Sequence, residues 1–215
     1  MGKVTDSLLS GTRGRTGRIV VTNIQGNEIS RMRPRRGNRN LTPKQILVTQ
    51  RFNDAIQFIQ GYKNIAKNYY GKRNGLKSAY NMALGNLIKS MPLDTVNLTY
   101  QMNYDAIQFT RGNLPEPQPI GWQSDQPLTI AIAWQNNAIV PEQELDTLCV
   151  MISEDGVEKP TTTIIQTQAI RAEEETTIEV LPRFQGKTLH VWITFINPTQ
   201  MVASNSVYLG TIDVA

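Results

Sequence analysis

The 215 residues, 40% hydrophobic, suffice for one large domain or two small ones with an ordinary packed core, which argues against global disorder. One cysteine, Cys149, excludes an intramolecular disulfide framework and any multi-cysteine zinc site, and one histidine, His190, removes constellations built on two imidazoles. The net charge of +4 hides a division: residues 1–89 carry 17 basic and 3 acidic side chains, a net of +14, whereas residues 90–215 carry 5 and 15, a net of −10. Such asymmetry points to a polyanionic partner for the basic half, or to head-to-tail contact between neighbouring copies. The opening residues have no long apolar core of the signal-peptide kind, Asp6 stands where myristoylation needs Ser or Thr, and the run 128–134 is too short to cross a bilayer. The expectation is a soluble chain, made in a reducing cytoplasm and not exported.

The first forty residues are rich in Gly and Arg. Residues 19–24 form an apolar, β-branched run that reads as a strand, Gln25-Gly26-Asn27 supplies a turn, and residues 28–32 return as a second strand. A lone hairpin of this size is marginal, so it is expected to dock on another surface. Residues 31–40 hold five arginines, which repel one another and resist helix formation; they read as an extended arm.

Thr42-Pro43-Lys44-Gln45 is a helix start, with Thr42 as cap, Pro43 at the first helical position and Gln45 closing a capping box. Val48, Phe52, Ala55, Ile56, Ile59, Tyr62, Ala66 and Tyr69 then recur as one apolar stripe, which predicts a long helix that Gly61 bends without ending. After the breaker cluster at 71–75, Leu76, Tyr80, Ala83 and Leu87 form a second stripe that stops at Met91-Pro92, completing a helical hairpin.

Beyond Thr95 the period changes to two. Strands are expected at 96–100, 106–110, 128–134, 147–153, 161–167, 176–181, 189–195 and 206–212, the clearest being 128–134 and 189–195. About seven short strands in about a hundred residues suggest an immunoglobulin-like sandwich. Trp134 supplies core volume where the usual disulfide is impossible, although a barrel or jelly roll gives the same alternation. The predicted fold is therefore α+β: a basic arm with a β-hairpin (1–41), a helical hairpin (42–91) and an immunoglobulin-like β-sandwich (92–215).

Chemistry-bearing residues are few. His190 lies in mid-strand and reads as structural, and Cys149 sits within Leu148-Cys149-Val150-Met151-Ile152 as a small buried hydrophobe. Glu173-Glu174-Glu175 lacks the spacing and glycine of a calcium loop and reads as a solvated turn. The segment 11–17 resembles a phosphate cradle only superficially, since no Gly-Lys-Ser/Thr follows and the next element reads as strand. No catalytic residue, metal site or cofactor is assigned. The assertive feature is the arm, where Arg13, Arg15, Arg18, Arg31, Arg33, Arg35, Arg36 and Arg39 present guanidinium groups suited to phosphate or carboxylate.

The order of the chain resembles an uncharacterised family of this length found in Bacteroidota and their phages and known only as a domain of unknown function. The resemblance runs from Gly2-Lys3-Val4 through the Gly- and Arg-containing hairpin, Leu41-Thr42-Pro43-Lys44-Gln45 and Gln50-Arg51-Phe52 to the closing Ser204-Asn205-Ser206-Val207-Tyr208-Leu209-Gly210. It implies a bacterial or phage setting and a module used for structure or attachment, and it carries over no catalytic residue. The expected function is a non-enzymatic structural or assembly protein of a bacteriophage virion, a ring, collar, tail or capsid-decorating subunit, that docks through its arm. Its expected partners are other virion or assembly proteins and further copies of itself, with no membrane, and its expected location is the virion, assembled in the bacterial cytoplasm. The alternative is a nonspecific nucleic-acid-binding protein using the basic half. An enzyme working through His190 with Glu or Asp partners is the remotest reading.

Overall fold

The computed structural model describes residues 2–5, 10–24, 26–34, 40–72 and 74–215. The chain forms two compact units, Met1–Leu41 and Thr42–Ala215.

The first unit is a four-stranded antiparallel sheet of β1 (Gly2–Lys3), β2 (Gly14–Thr16), β3 (Ile19–Ile24) and β4 (Asn27–Met32), in the order β1-β4-β3-β2. The predicted hairpin is β3–β4, paired from Ile19↔Met32 to Ile24↔Asn27. Its turn is set by Gly26 at φ +83, whose N–H donates to Asn23 Oδ1 at 2.9 Å. Two flanking strands, unforeseen because each is only two or three residues long, widen the hairpin to a sheet. Arg31 belongs to β4 rather than to an extended arm, and the Arg33 N–H continues the ladder to Arg18 O at 2.8 Å. Arg35, Arg36 and Arg39 lie outside the described residues.

In the second unit, α1 (Pro43–Gln60) opens with the predicted capping box: Thr42 Oγ1 accepts from the Gln45 N–H at 3.3 Å, and Gln45 Oε1 accepts from the Thr42 N–H at 3.0 Å. The helix does not bend at Gly61 and continue; it stops there, and α2 (Lys63–Tyr69) starts afresh. The cause is a strand distant in sequence. Thr162 Oγ1 donates to Phe58 O at 2.7 Å, engaging the carbonyl that an unbroken helix would offer to Tyr62, and the Tyr62 N–H turns instead to Ile59 O at 3.2 Å. A third helix, α3 (Ala79–Lys89), is capped by Ser78 Oγ, which accepts from the Asn81 N–H at 3.2 Å. The predicted hairpin is thus a three-helix layer. Within its stripes Ala55, Ile59, Tyr62, Ala66, Ala83 and Leu87 are buried, whereas Val48, Phe52 and Leu76 are exposed.

A short ladder of β5 (Leu93–Asp94) and β6 (Thr99–Tyr100) follows. The strand expected at 106–110 joins no ladder. Its alternation places Ile107 and Phe109 in the core, while side chains partner it: the Phe109 N–H donates to Ser206 Oγ at 3.0 Å and Thr110 Oγ1 to Ser204 O at 3.0 Å.

The sandwich is built from β7 (Gln118–Gln123), β8 (Thr129–Gln135), β9 (Thr147–Glu154), β10 (Thr162–Ile170), β11 (Glu175–Glu179), β12 (Thr188–Asn197), the short β13 (Val202–Ala203) and β14 (Val207–Asp213). One sheet runs β11-β8-β7; the other runs β10-β9-β12, with both β13 and β14 paired to β12. The chain crosses between the sheets after β8, β10 and β11, the arrangement of an immunoglobulin-like sandwich. Sequence reading missed β7 because Pro119 and Gly121 break its pattern. Both are tolerated because β7 is an edge strand whose register shifts between them.

Alternation along β9 and β12 sorts side chains into two cores. Leu148, Val150, Ile152, Leu189, Val191, Ile193 and Phe195 pack against Ile130, Ile132, Trp134 and Ile178 of the opposing sheet. Cys149, Met151, Trp192 and Ile196 point the other way, among Phe58, Ile59, Tyr62, Ala66, Ala83 and Leu87 of the helices. The central sheet is therefore covered on both faces, and the helices share a core with the sandwich.

A Cβ on Gly61 would lie 2.0 Å from Thr162 O, although φ of −64° suits any residue; Gly85, in mid-α3, has nothing within 4 Å of that position. Gly61→Ala is therefore expected to destabilise by about 2–3 kcal/mol through overpacking, and Gly85→Ala to stabilise by roughly 0.5–1 kcal/mol through helix propensity. Urea unfolding of the two variants measures both, and a Gly61→Ala protein as stable as the wild type contradicts the tight seam between α1 and β10.

Candidate functional site

Of the arginines singled out from sequence, Arg15 and Arg31 are brought onto one face by the pleat of the N-terminal sheet, Arg13, Arg18 and Arg33 lie beside its strands, and Arg35, Arg36 and Arg39 are outside the described residues. Register places Arg15 of β2 beside Val20, which in turn lies beside Arg31 of β4, so Arg15 and Arg31 share a face. Lys3 of β1 lies opposite Ile29, one pleat period from Arg31, and adds a third cation to that face. Arg18 and Arg33 meet at one end of the sheet through their backbones, and Arg13 precedes Arg15 by two residues. Lys3, Arg13, Arg15, Arg18, Arg31 and Arg33 are all exposed, and none belongs to the ion pairs formed among the described residues.

The sheet has little core of its own. Val21 is its one buried apolar side chain among the described residues, while Ile19, Ile24 and Met32 are exposed, Met32 to 76%. Residues 1–41 hold 9 basic and 2 acidic residues and no Phe, Tyr or Trp. An exposed cationic sheet of this kind offers bidentate donors to carboxylates or phosphates, but no ring on which an unpaired base could stack. The segment 11–17, far from cradling a phosphate at a helix start, contains β2 and turns at Gly17 directly into β3. Sequence alone exposed these charges; the placement of three of them on one face depends on strand register.

The other candidates are engaged by neighbouring groups of the fold. His190 is 5% exposed, with Nδ1 at 2.7 Å from the Tyr208 hydroxyl, Nε2 at 3.1 Å from Asp155 Oδ1, and the Tyr104 ring stacked on it at 3.6 Å. Both ring nitrogens are engaged. Burial first, and then Asp105, Asp155 and Tyr104, push the Tyr208 phenol up to about 12. The imidazole pins β12 to β14 and to the turns carrying Tyr104 and Asp155. Glu173 Oε2 accepts from the Ile170 N–H at 3.3 Å, Glu174 adopts φ +61° with Oε1 accepting from the Asn136 N–H at 3.2 Å, and Glu175 begins β11. Among the described residues no three His, Cys, Asp or Glu side chains are grouped to hold a metal, and no helix is long and apolar enough to cross a membrane.

Arg171 carries no local signal in its sequence surroundings. It is wholly buried with Asp146, at 3.3 Å, and its guanidinium also donates to Gln143 O, Asn137 Oδ1 and Pro115 O while lying 3.9 Å over the Phe195 ring. Burial dominates both partners, raising the Asp146 carboxyl and lowering the Arg171 guanidinium, each opposed by the other's charge. Asn197 Nδ2 donates to Asp146 Oδ1 at 3.1 Å, and Trp134 Nε1 to Arg171 O at 2.9 Å, so the network ties both sheets together at one end of the sandwich. An Arg between two strands in a run of glutamates looks like a surface residue, and only the fold reveals otherwise.

These features define a β-sandwich protein with a helical layer on one sheet and a separate basic sheet before it. The chain belongs to the family of unknown function DUF6266, which matches residues 11–210. No curated protein matches it. Among solved structures it is similar to the fn3 domain of human collagen alpha-1(XX) chain, at 12% identity over 48% of this chain and 88% of that one, with a TM-score of 0.34. The fn3 domain of human contactin 1 matches at 12% identity over 49% of this chain and 83% of that one, TM-score 0.34. A computationally redesigned β-sandwich protein matches at 18% identity over 48% and 94%, TM-score 0.33.

Cys149 is 2% exposed, and burial pushes its thiol up to about 12. The folded protein is expected not to react with a disulfide reagent at pH 8 and to release one thiol equivalent once unfolded in guanidinium. Stoichiometric labelling of the native protein within minutes is the contrary result.

Proposed function

We propose that this is a non-enzymatic structural protein that builds assemblies by docking its basic N-terminal sheet on an acidic protein surface, further copies of itself included. The observation that carries this reading is the agreement between charge and architecture. The separate sheet of residues 1–41 holds 9 basic and 2 acidic residues, and the sandwich region 118–215 holds 4 and 12. Opposite potentials on two parts of one chain favour head-to-tail association over a closed, self-complementary pair. Exposed apolar side chains on the basic sheet and the outer edges of β1 and β2, which pair with no further strand among the described residues, supply short-range contact once charge has brought partners together.

The particle setting follows the resemblance carried by the sequence: a ring, collar, tail or capsid-decorating subunit of a bacteriophage, assembled in the bacterial cytoplasm. Nucleic-acid binding is the rival use of the same charge, and it fits less well because the sheet offers no aromatic platform on which an unpaired base could stack.

Light scattering after nuclease treatment, on the full chain and on residues 42–215, tests the proposal. The full chain is expected to form an oligomer of defined mass that nuclease does not change, and the truncated chain to be a monomer with undiminished β-sheet circular dichroism. Equal masses for the two chains contradict arm-mediated assembly. A mass that collapses with nuclease assigns the basic sheet to nucleic acid instead.

A further inference from the structure

We infer that the surface receiving the basic sheet is the free outer edge of β11 on a second copy of this chain, so that β2 of one copy adds as a strand to the β11-β8-β7 sheet of the next. This rests on the assembly reading above and names its docking surface.

Three observations single out β11. Edge strands in stable proteins are guarded by proline, bulges, irregular register, short length or charged side chains, and a charged edge still admits a strand of opposite charge. In the sandwich, β7 carries Pro119 and a register shift, β10 shifts register between Gln166 and Ile170, and β14 contains Gly210 with a shift in its pairing to β12. In contrast, β11 pairs with β8 in unbroken register from Glu175↔Ala133 to Glu179↔Thr129 and contains no proline, lysine or bulge. Its other side makes no hydrogen bond among the described residues, and it borders an open groove of ≈ 820 Å³ lined in part by Ile165, Gln168, Thr176 and Ile178.

Charge makes the second point. Glu175, Thr177 and Glu179 occupy the exposed side of β11, and neither glutamate takes part in an ion pair among the described residues. The third observation concerns the incoming strand. At the edge of its sheet, β2 is exposed throughout and carries Arg15, with Arg13 two residues before it. Added antiparallel with Arg15 opposite Thr177, β2 sets Arg13 opposite Glu179 and Arg15 diagonal to both glutamates, within reach of such long side chains. The contact joins two different surfaces, so it propagates from copy to copy until it closes a ring or continues as a filament.

Charge reversal in the full chain tests this, read by light scattering at moderate salt. Glu175→Arg/Glu179→Arg and Arg13→Glu/Arg15→Glu are each expected to weaken self-association by about tenfold or more. Their equimolar mixture is expected to recover assembly, since each variant then meets an opposite partner. Glu142→Arg/Glu144→Arg, on a separate turn, serves as control and is expected to keep the wild-type mass. Circular dichroism verifies folding, which these exposed sites leave intact. If the β11 variant keeps the wild-type mass while the arginine variant falls to monomer, the basic sheet docks elsewhere and the β11 assignment is overturned, with the assembly reading intact. A wild-type chain that is monomeric at every concentration overturns both.

Discussion

The second unit depends on a sheet that is apolar on both faces. Strands β9 and β12 are each buried over six and eight consecutive residues, a run in which alternation sorts side chains between two cores instead of between core and solvent. Removed from the helices, this sheet would present Met151, Trp192 and Ile196 to water; removed from the opposing sheet, it would present Val150, Val191 and Ile193. Burying a side chain of this size contributes about 1.5–3 kcal/mol, so neither layer is dispensable. The helices complete the sandwich, and their break at Gly61 is the local consequence of β10 fitting closely against α1.

Polar groups within this interior are nearly all paired, and they sit where elements must be joined. Thr110, Thr194 and Ser204 hydrogen-bond one another's side chains and carbonyls to fasten the 106–110 segment to β12. At the far end Arg171 and Asp146 do the same for the loops between sheets; a buried pair like this adds orientation more surely than net stability, since each charge gives up its hydration. Tyr62 is the exception. Its hydroxyl is buried without a partner among the described residues, and burial raises its phenol above the usual range, so its ring is retained for packing against Phe58 and Phe109.

Local signals in the sequence were reliable where local physics decides. The capping box at Thr42 and Gln45 and the strands at 147–153 and 189–195 appear where the pattern put them, the box because it closes between residues three apart and the strands because each is a long apolar run that a core must bury. Elements set by distant contacts were not legible. The end of α1 depends on Thr162, about a hundred residues away; β7 survives Pro119 and Gly121 only because it lies at an edge; and Val48 and Phe52 continue the helical stripe yet are exposed. For the candidate site, composition revealed the arginines, while the face shared by Arg15, Arg31 and Lys3 and the unbroken pairing of β11 with β8 depend on register, which alternation cannot supply.

Residues 42–215 form one body in which helices and sandwich share a core, and the small basic sheet of residues 1–41 is a separate unit. Equilibrium unfolding of the full chain by urea tests this most directly. Helical ellipticity at 222 nm reports mainly on α1, α2 and α3, and fluorescence reports on Trp122, Trp134 and Trp192, all in sandwich strands. Coincident transitions with one midpoint are the predicted result. Loss of ellipticity at lower urea than the fluorescence change would show that the helices are an independent layer and contradict the two-faced core.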